Sequence, residues 1–163
     1  MTRLQSALQM MEGSIDNIDR AVESAPERAL RWKPSADGWT ILQILGHLEE
    51  ALPYWLKELR ATQIDESVPW GRGLSDPDRL AAVENSSSRN AHEMIQRLHL
   101  EYSRISQALQ SMEDKDLDVE RTSRNPKFGV KQLWFIVDHM MVEHLQKHWG
   151  QIQRNLEQYR EDS

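Results

Sequence analysis

Residues 130–159 read VKQLWFIVDHMMVEHLQKHWGQIQRNLEQY. Apolar side chains recur along this stretch at steps of three and four residues, and five of them share one stripe of an α-helix: Leu133, Val137, Met140, Ile152 and Leu156. The stripe predicts one long amphipathic helix from about Val130 to about Tyr159, with its apolar face against other helices. His144 and His148 occupy the two intervening positions of the same stripe.

Two earlier segments show the same helical periodicity. Apolar residues alternate at steps of four and three over residues 4–22, which predicts a first amphipathic helix. A second helix is predicted from about Ile41, because Thr40 and Gln43 form a capping-box pattern at its start. Pro53 lies inside this second helix, and the loss of one backbone hydrogen bond there predicts a kink just past His47.

A third helix is predicted between residues 75 and 112, although its middle, residues 84–90, is too polar for a core position. Residues 62–75 contain Pro and Gly and indicate a long connection, and residues 112–128 indicate another loop. No stretch shows a credible strand pattern. We therefore predict an all-α four-helix bundle in a single domain, residues 1–163, with a long crossover between helices 2 and 3 and an up-down-down-up order.

Composition narrows the class of function. The chain has no cysteine, so a metal site must use His, carboxylate or water, and a thiol nucleophile must come from another molecule. The net charge of −6, with basic residues interleaved among acids, argues against a nucleic-acid partner. No apolar stretch is long enough for a signal peptide or a membrane span, so we expect a cytoplasmic protein with no membrane partner.

Three histidines are predicted to face the interior of the bundle. His144 and His148 are four residues apart, which stacks their imidazoles about one turn apart on one helix face. His47 replaces an apolar residue on the inward face of the second helix. His139 lies about 140° from His144 on an α-helix, so it is expected to face another helix or water. Inward polar groups need partners, and a shared metal ion with open positions is one solution.

Other interpretations stay open at this point. A histidine pair at this spacing also arises by chance, and such residues can be ordinary core groups. Gln151 shares the face of His144 and could orient a ligand or touch a substrate, and Glu50, one turn past His47, could be a weak fourth ligand or a base. His92 and His99 are predicted to lie on a solvated helix face.

The chain resembles the DinB/YfiT-like superfamily of metal-binding four-helix bundles. The resemblance rests on W-x-P at residues 32–34, GWTI at residues 38–41 leading into His47, and H-x-x-x-H at residues 144–148 followed by WGQI at residues 149–152. These motifs span about residues 30 to 155, in the same order as in the family. The resemblance implies an up-down-down-up bundle, often homodimeric, whose ligands here are His47, His144 and His148.

The resemblance also implies a divalent ion, zinc or nickel in many relatives, and a small-molecule substrate. Some relatives are S-transferases that use low-molecular-weight thiols such as bacillithiol, mycothiol or glutathione, and others are isomerases or hydrolases. Our hypothesis is a metal-dependent thiol S-transferase or hydrolase, with Gln151 and Glu50 as orienting or proton-handling groups. The alternative is a non-catalytic homodimeric bundle, for interaction or ligand binding, in which the metal is structural or absent.

Overall fold

A computed structural model describes residues 1–163 of the protein. Six α-helices follow one another along the chain: α1 (Arg3–Ser24), α2 (Glu27–Arg31), α3 (Ile41–Ile64), α4 (Pro77–Glu84), α5 (Ala91–Gln110) and α6 (His144–Asp162). A π-helix, Ile136–Glu143, leads directly into α6, and short 3₁₀ segments cover Asn85–Ser88 and Asp114–Leu117. The predicted helical-bundle class is confirmed, and the long connection between α3 and α5 contains α4.

The caps of α1 and α3 explain where these helices begin. Thr2 accepts a hydrogen bond from the backbone of Gln5, and the Gln5 side chain accepts one from the Thr2 backbone. Thr40 and Gln43 make the same reciprocal pair at α3, with distances of 3.1 and 2.9 Å. This confirms the predicted capping box. Helix α3 then continues through Pro53 to Ile64.

The core lies between the long helices. A cluster of 37 buried hydrophobic residues runs through α1, α3, α5, the π-helix and α6. Its fully buried members include Met11, Ile44, Leu48, Leu98 and Ile152. No helix is both long and apolar enough to cross a membrane.

The prediction of one continuous third helix was wrong. Helix α4 ends at Glu84, the 3₁₀ segment follows, and α5 starts afresh at Ala91. The Asn90 side chain accepts a hydrogen bond from the backbone of Glu93 at the new start. The polar segment Asn85–Ser88 follows the end of α4, where the apolar periodicity also stops. Helices tend to end at such segments because Ser and Asn side chains compete for the backbone hydrogen bonds of a helix.

The expected start of the last helix near Val130 was also wrong. Val130–Gln132 forms strand β2, which pairs antiparallel with β1, Glu120–Thr122, so the chain does contain a small two-stranded sheet. Ser123 beside β1 forms a further bridge with Trp70, whose ring is fully buried. Strands of three residues are too short to show an alternating pattern, which explains why no strand was predicted here.

Candidate metal centre

The side chains of His47, His144 and His148 converge on one point between α3 and α6. The Nε2 atom of His144 lies 2.9 Å from Nε2 of His47 and 3.0 Å from Nε2 of His148. Nitrogens that share one zinc-like ion at 2.0–2.1 Å can be at most about 4.2 Å apart, so these two contacts fit a common ion. The structure therefore brings together the three predicted ligands as a cluster able to hold a metal.

Three local features place these imidazoles. The capped start of α3 sets His47 in the second turn of that helix, where the residue is 3% exposed. The π-helix ends immediately before His144, and the regular α6 carries His148 one turn further. Buried Asn155 on α6 donates a hydrogen bond to the Trp39 carbonyl over 2.8 Å, which ties α6 to the chain just before α3. Sequence reasoning missed Asn155, whose long-range partner has no local signal.

The two Nε2 contacts of His144 cannot both be hydrogen bonds. The Nδ1 atom of His148 lies 2.8 Å from Oε1 of Gln151, so it carries the proton and leaves Nε2 unprotonated. One N–H on His144 Nε2 can point to His148 or to His47, but not to both. The Nδ1 atoms of His47 and His144 are buried without hydrogen-bond partners. A cation that accepts three Nε2 lone pairs accommodates both Nε2···Nε2 contacts at once.

Burial keeps the imidazoles neutral. The pKa of His47 falls from 6.5 to about 2, first because of burial and then because of the neighbouring His144 and His148. The pKa of His144 falls to about 3, mainly because of burial and next because of the neighbouring His148. The pKa of His148 falls to about 4, mainly because of burial. Neutral imidazole is the form that binds metal ions. At pH 7 no proton therefore competes with an ion at this site.

The other predicted site residues have different surroundings. Gln151 contacts His148, which agrees with a ligand-orienting role, while the side chain of Glu50 does not join the cluster. Both Glu50 oxygens instead accept hydrogen bonds from the Arg72 guanidinium. The catalytic roles of Gln151 and Glu50 stay predictions.

The remaining histidines lie outside the cluster, as expected. His139 hydrogen-bonds Glu143 over 2.9 Å and stacks on Phe135 with ring centroids 4.8 Å apart. The angle of about 140° between His139 and His144 holds for an α-helix. His139 lies instead in the π-helix, where residues five apart are hydrogen-bonded neighbours. Its contacts nevertheless direct it away from the other three. His92 is exposed, and half-buried His99 pairs with Asp19 over 2.8 Å.

An aromatic and a basic side chain border the cluster. Trp39 stacks on His148 with an interplanar angle of 14° and centroids 6.2 Å apart, and it also contacts His47. The Arg79 guanidinium lies 5.6 Å from the Trp39 ring, and its positive charge lowers the pKa of all three imidazoles. His144 is the partly exposed member of the three, whereas His47 and His148 are buried. Sequence reasoning missed Arg79, which comes from the crossover segment.

Two cavities lie away from the imidazoles. A polar cavity of about 650 Å³ is lined by Tyr54, Arg72 and Arg124, among others. An apolar groove of about 530 Å³, lined by Trp149 and Tyr159, runs beside α1 and α2. Trp149 therefore lines this groove, while Trp39 is the tryptophan that borders the histidine cluster.

Solved structures of low sequence identity share the fold. YfiT from Bacillus subtilis, a probable metal-dependent hydrolase with an unusual four-helix bundle topology, matches with a TM-score of 0.76 and 15% identity, over 96% of this chain and 90% of that one. A conserved protein from Enterococcus faecalis matches with a TM-score of 0.73 and 9% identity, over 97% of both chains. A point mutant of a mycothiol-dependent maleylpyruvate isomerase matches with a TM-score of 0.69 and 12% identity, over 93% of this chain and 63% of that one.

Sequence comparison identifies the family. No curated protein matches the chain. The model of the DinB superfamily, however, matches residues 10–152, which include the capped start of α3, the π-helix and all three clustered histidines. The chain therefore belongs to the DinB superfamily.

Proposed function

We propose that the protein is a metal-dependent enzyme that binds one divalent ion, zinc or nickel, through His47, His144 and His148. The observation that carries this proposal is the convergence of the Nε2 atoms of three neutral imidazoles, of which His144 is partly exposed. Three protein ligands leave positions free for another molecule, as is typical of catalytic rather than structural sites.

The chemistry we propose is the activation of a small nucleophile. A divalent ion lowers the pKa of a thiol or a water molecule bound to it, which supplies a nucleophile near neutral pH. Because the chain has no cysteine, a thiol would come from a low-molecular-weight cosubstrate. Two structural neighbours agree with these nucleophiles: YfiT is a probable metal-dependent hydrolase, and another neighbour is a mutant of a mycothiol-dependent isomerase, which depends on a thiol. We infer a thiol S-transferase or a hydrolase.

The chain's own residues have defined parts in this proposal. Gln151 accepts a hydrogen bond from the protonated Nδ1 of His148 and so orients the Nε2 atom of that ring towards the cluster. Trp39 covers one side of His47 and His148 and limits water access there. A substrate would approach from the side of His144, the ligand that is partly exposed.

Metal binding is tested with the metal-free protein. Calorimetric titration with zinc and with nickel should give one ion per chain, and His144→Ala should abolish this binding. The matched control is His92→Ala, which removes an exposed histidine of α5 and should leave binding intact. If His144→Ala and the unmodified protein bind the same amount of metal, the proposed site is wrong.

Catalysis is tested separately with the metal-loaded protein. Thiol transfer from glutathione to 1-chloro-2,4-dinitrobenzene and hydrolysis of 4-nitrophenyl acetate report the two reaction classes. Activity in either assay should disappear on chelation and in His144→Ala, and return when the ion is restored to the unmodified protein. If the ion binds neither an added thiol nor water, and chelation lowers only the stability of the protein, the ion is structural.

A further inference from the structure

Arg79 is a cation without an acidic partner next to the imidazole cluster. The only side-chain hydrogen bond that its guanidinium makes goes to the carbonyl of Leu74, over 2.9 Å. A guanidinium has five N–H donors, so most of its hydrogen-bonding capacity is unused. Arg79 is partly buried, and partly buried guanidinium groups ordinarily pair with carboxylates.

The acids nearest to Arg79 are already engaged. Arg72 donates to both oxygens of Glu50 and, over 3.3 Å, to Oδ1 of Asp76. The same Oδ1 of Asp76 caps α4 by accepting hydrogen bonds from the backbone of Asp78 and Arg79. The side chain of Arg72 is only 8% exposed, so of the two arginines beside these acids Arg79 is the one available to a ligand.

The position of Arg79 links it to the metal centre through one aromatic ring. Its guanidinium lies 5.6 Å from the ring of Trp39, and that ring stacks on His148 at 6.2 Å. The positive charge of Arg79 also acts on all three imidazoles, which places it within electrostatic reach of each. A small molecule bound at the cluster could therefore contact the guanidinium as well.

We propose that Arg79 recognises an anionic group on the molecule that binds at the metal centre, and that this group is a carboxylate. One free guanidinium neutralises one negative charge and matches the two oxygens of a carboxylate. The inference rests on the proposed metal site and adds to it the substrate class: a small carboxylic acid, whose acid group lies at Arg79 while its reacting atom lies at the histidine cluster.

A pair of thiols tests this inference by binding rather than by turnover. The probes are 3-mercaptopropionate and its neutral amide, 3-mercaptopropionamide, titrated into the cobalt(II)-loaded protein. Thiolate coordination to cobalt gives a charge-transfer absorption band, and the chain contributes no thiol of its own because it has no cysteine. We expect the carboxylate probe to bind roughly tenfold more tightly than the amide, as one charge-assisted hydrogen-bond pair allows.

Variants assign this preference to Arg79. Arg79→Gln should remove most of the preference while leaving the affinity for the amide unchanged, and Arg79→Lys should retain part of it. Arg28→Gln, an exposed residue of α2, makes the same change in net charge and should keep the full preference. A preference that persists in Arg79→Gln overturns the inference and leaves the metal site standing. The absence of any thiolate band with either probe overturns the thiol-transferase form of the proposed function, and the inference with it, because no ligand then reaches both the ion and Arg79.

Discussion

The Nδ1 atom of His148 and the Oε1 atom of Gln151 are 2.8 Å apart, one turn along α6. This contact fixes the proton on Nδ1 and turns the unprotonated Nε2 towards His47 and His144. The other two imidazoles have no such support, because their Nδ1 atoms are buried without partners. Gln151 is therefore the side chain through which α6 sets the orientation of His148, a proposed metal ligand.

Replacing Gln151 with Leu should lower the affinity for zinc or nickel by roughly tenfold to a hundredfold, as loss of a ligand-orienting hydrogen bond does elsewhere. The measurement is competition with a chromophoric chelator. Gln153→Leu, an exposed position of the same helix, is the matched control and should bind metal normally. Equal affinities for the two variants would show that the His148 contact does not orient the ligand.

The lowered pKa values of the cluster predict how the stability of the metal-free protein depends on pH. The folded pKa values of about 2, 3 and 4 lie below the unfolded value of 6.5, so below that pH the unfolded chain binds more protons. The free energy of unfolding should therefore be fully retained above about pH 6.5 and fall as the pH drops towards about 4. Urea denaturation of the metal-free protein across this window measures the slope.

A single substitution isolates the contribution of one imidazole. His47→Leu removes one group that must stay neutral in the folded state, so the slope should decrease by about 1.4 kcal/mol per pH unit. Zinc should counteract the loss of stability only in the unmodified protein, since an ion that binds the folded state raises its stability. An unchanged slope in His47→Leu would mean that burial does not hold this imidazole neutral.

Much of the candidate site could be predicted from the sequence because its ligands interrupt regular apolar stripes. His144 and His148 stand where the stripe of the last helix demands apolar residues, and His47 does the same in α3. Helical periodicity is a local signal, and the capping residues Thr40 and Gln43 mark a helix start in the same local way.

The parts that could not be predicted depend on contacts between distant segments. Arg79 lies beside the cluster because the crossover folds back over α3, and the pairing of Arg72 with Glu50 joins residues 22 positions apart. Glu50 was expected near the metal because it follows His47 by one turn, but the tertiary ion pair decides where its carboxylate goes. Periodicity shows which face a residue occupies and does not show its partner on that face.

The Arg72–Glu50 pair should contribute to stability rather than to metal binding. The Arg72 side chain is 8% exposed and that of Glu50 is 22% exposed, and removing one partner leaves a poorly solvated charge. Arg72→Ala should therefore lower the free energy of unfolding by roughly 3 kcal/mol with metal stoichiometry intact. The double variant Arg72→Ala/Glu50→Ala should lose less than the sum of the two single variants. Additive losses in chemical denaturation would show that the two side chains are not coupled.

Gly46 allows the helix that carries His47 to approach its neighbours closely. A Cβ atom at position 46 would lie 2.7 Å from Cβ of Ser86 and 2.9 Å from the backbone oxygen of Ala82, so the surrounding chain would have to shift. Gly46→Ala should therefore destabilise the protein by about 1–3 kcal/mol and weaken metal binding, because the displaced helix carries a ligand.

Gly13→Ala is the matched control for this prediction. Gly13 is also within a helix, but nothing lies within 4 Å of an added Cβ there. Alanine is the better helix former, so this variant should gain roughly 0.5–1 kcal/mol and bind metal normally. Thermal unfolding with and without zinc compares the two variants. If Gly46→Ala were stabilised like Gly13→Ala, the close approach of α3 to Ser86 and Ala82 would not constrain the position of His47.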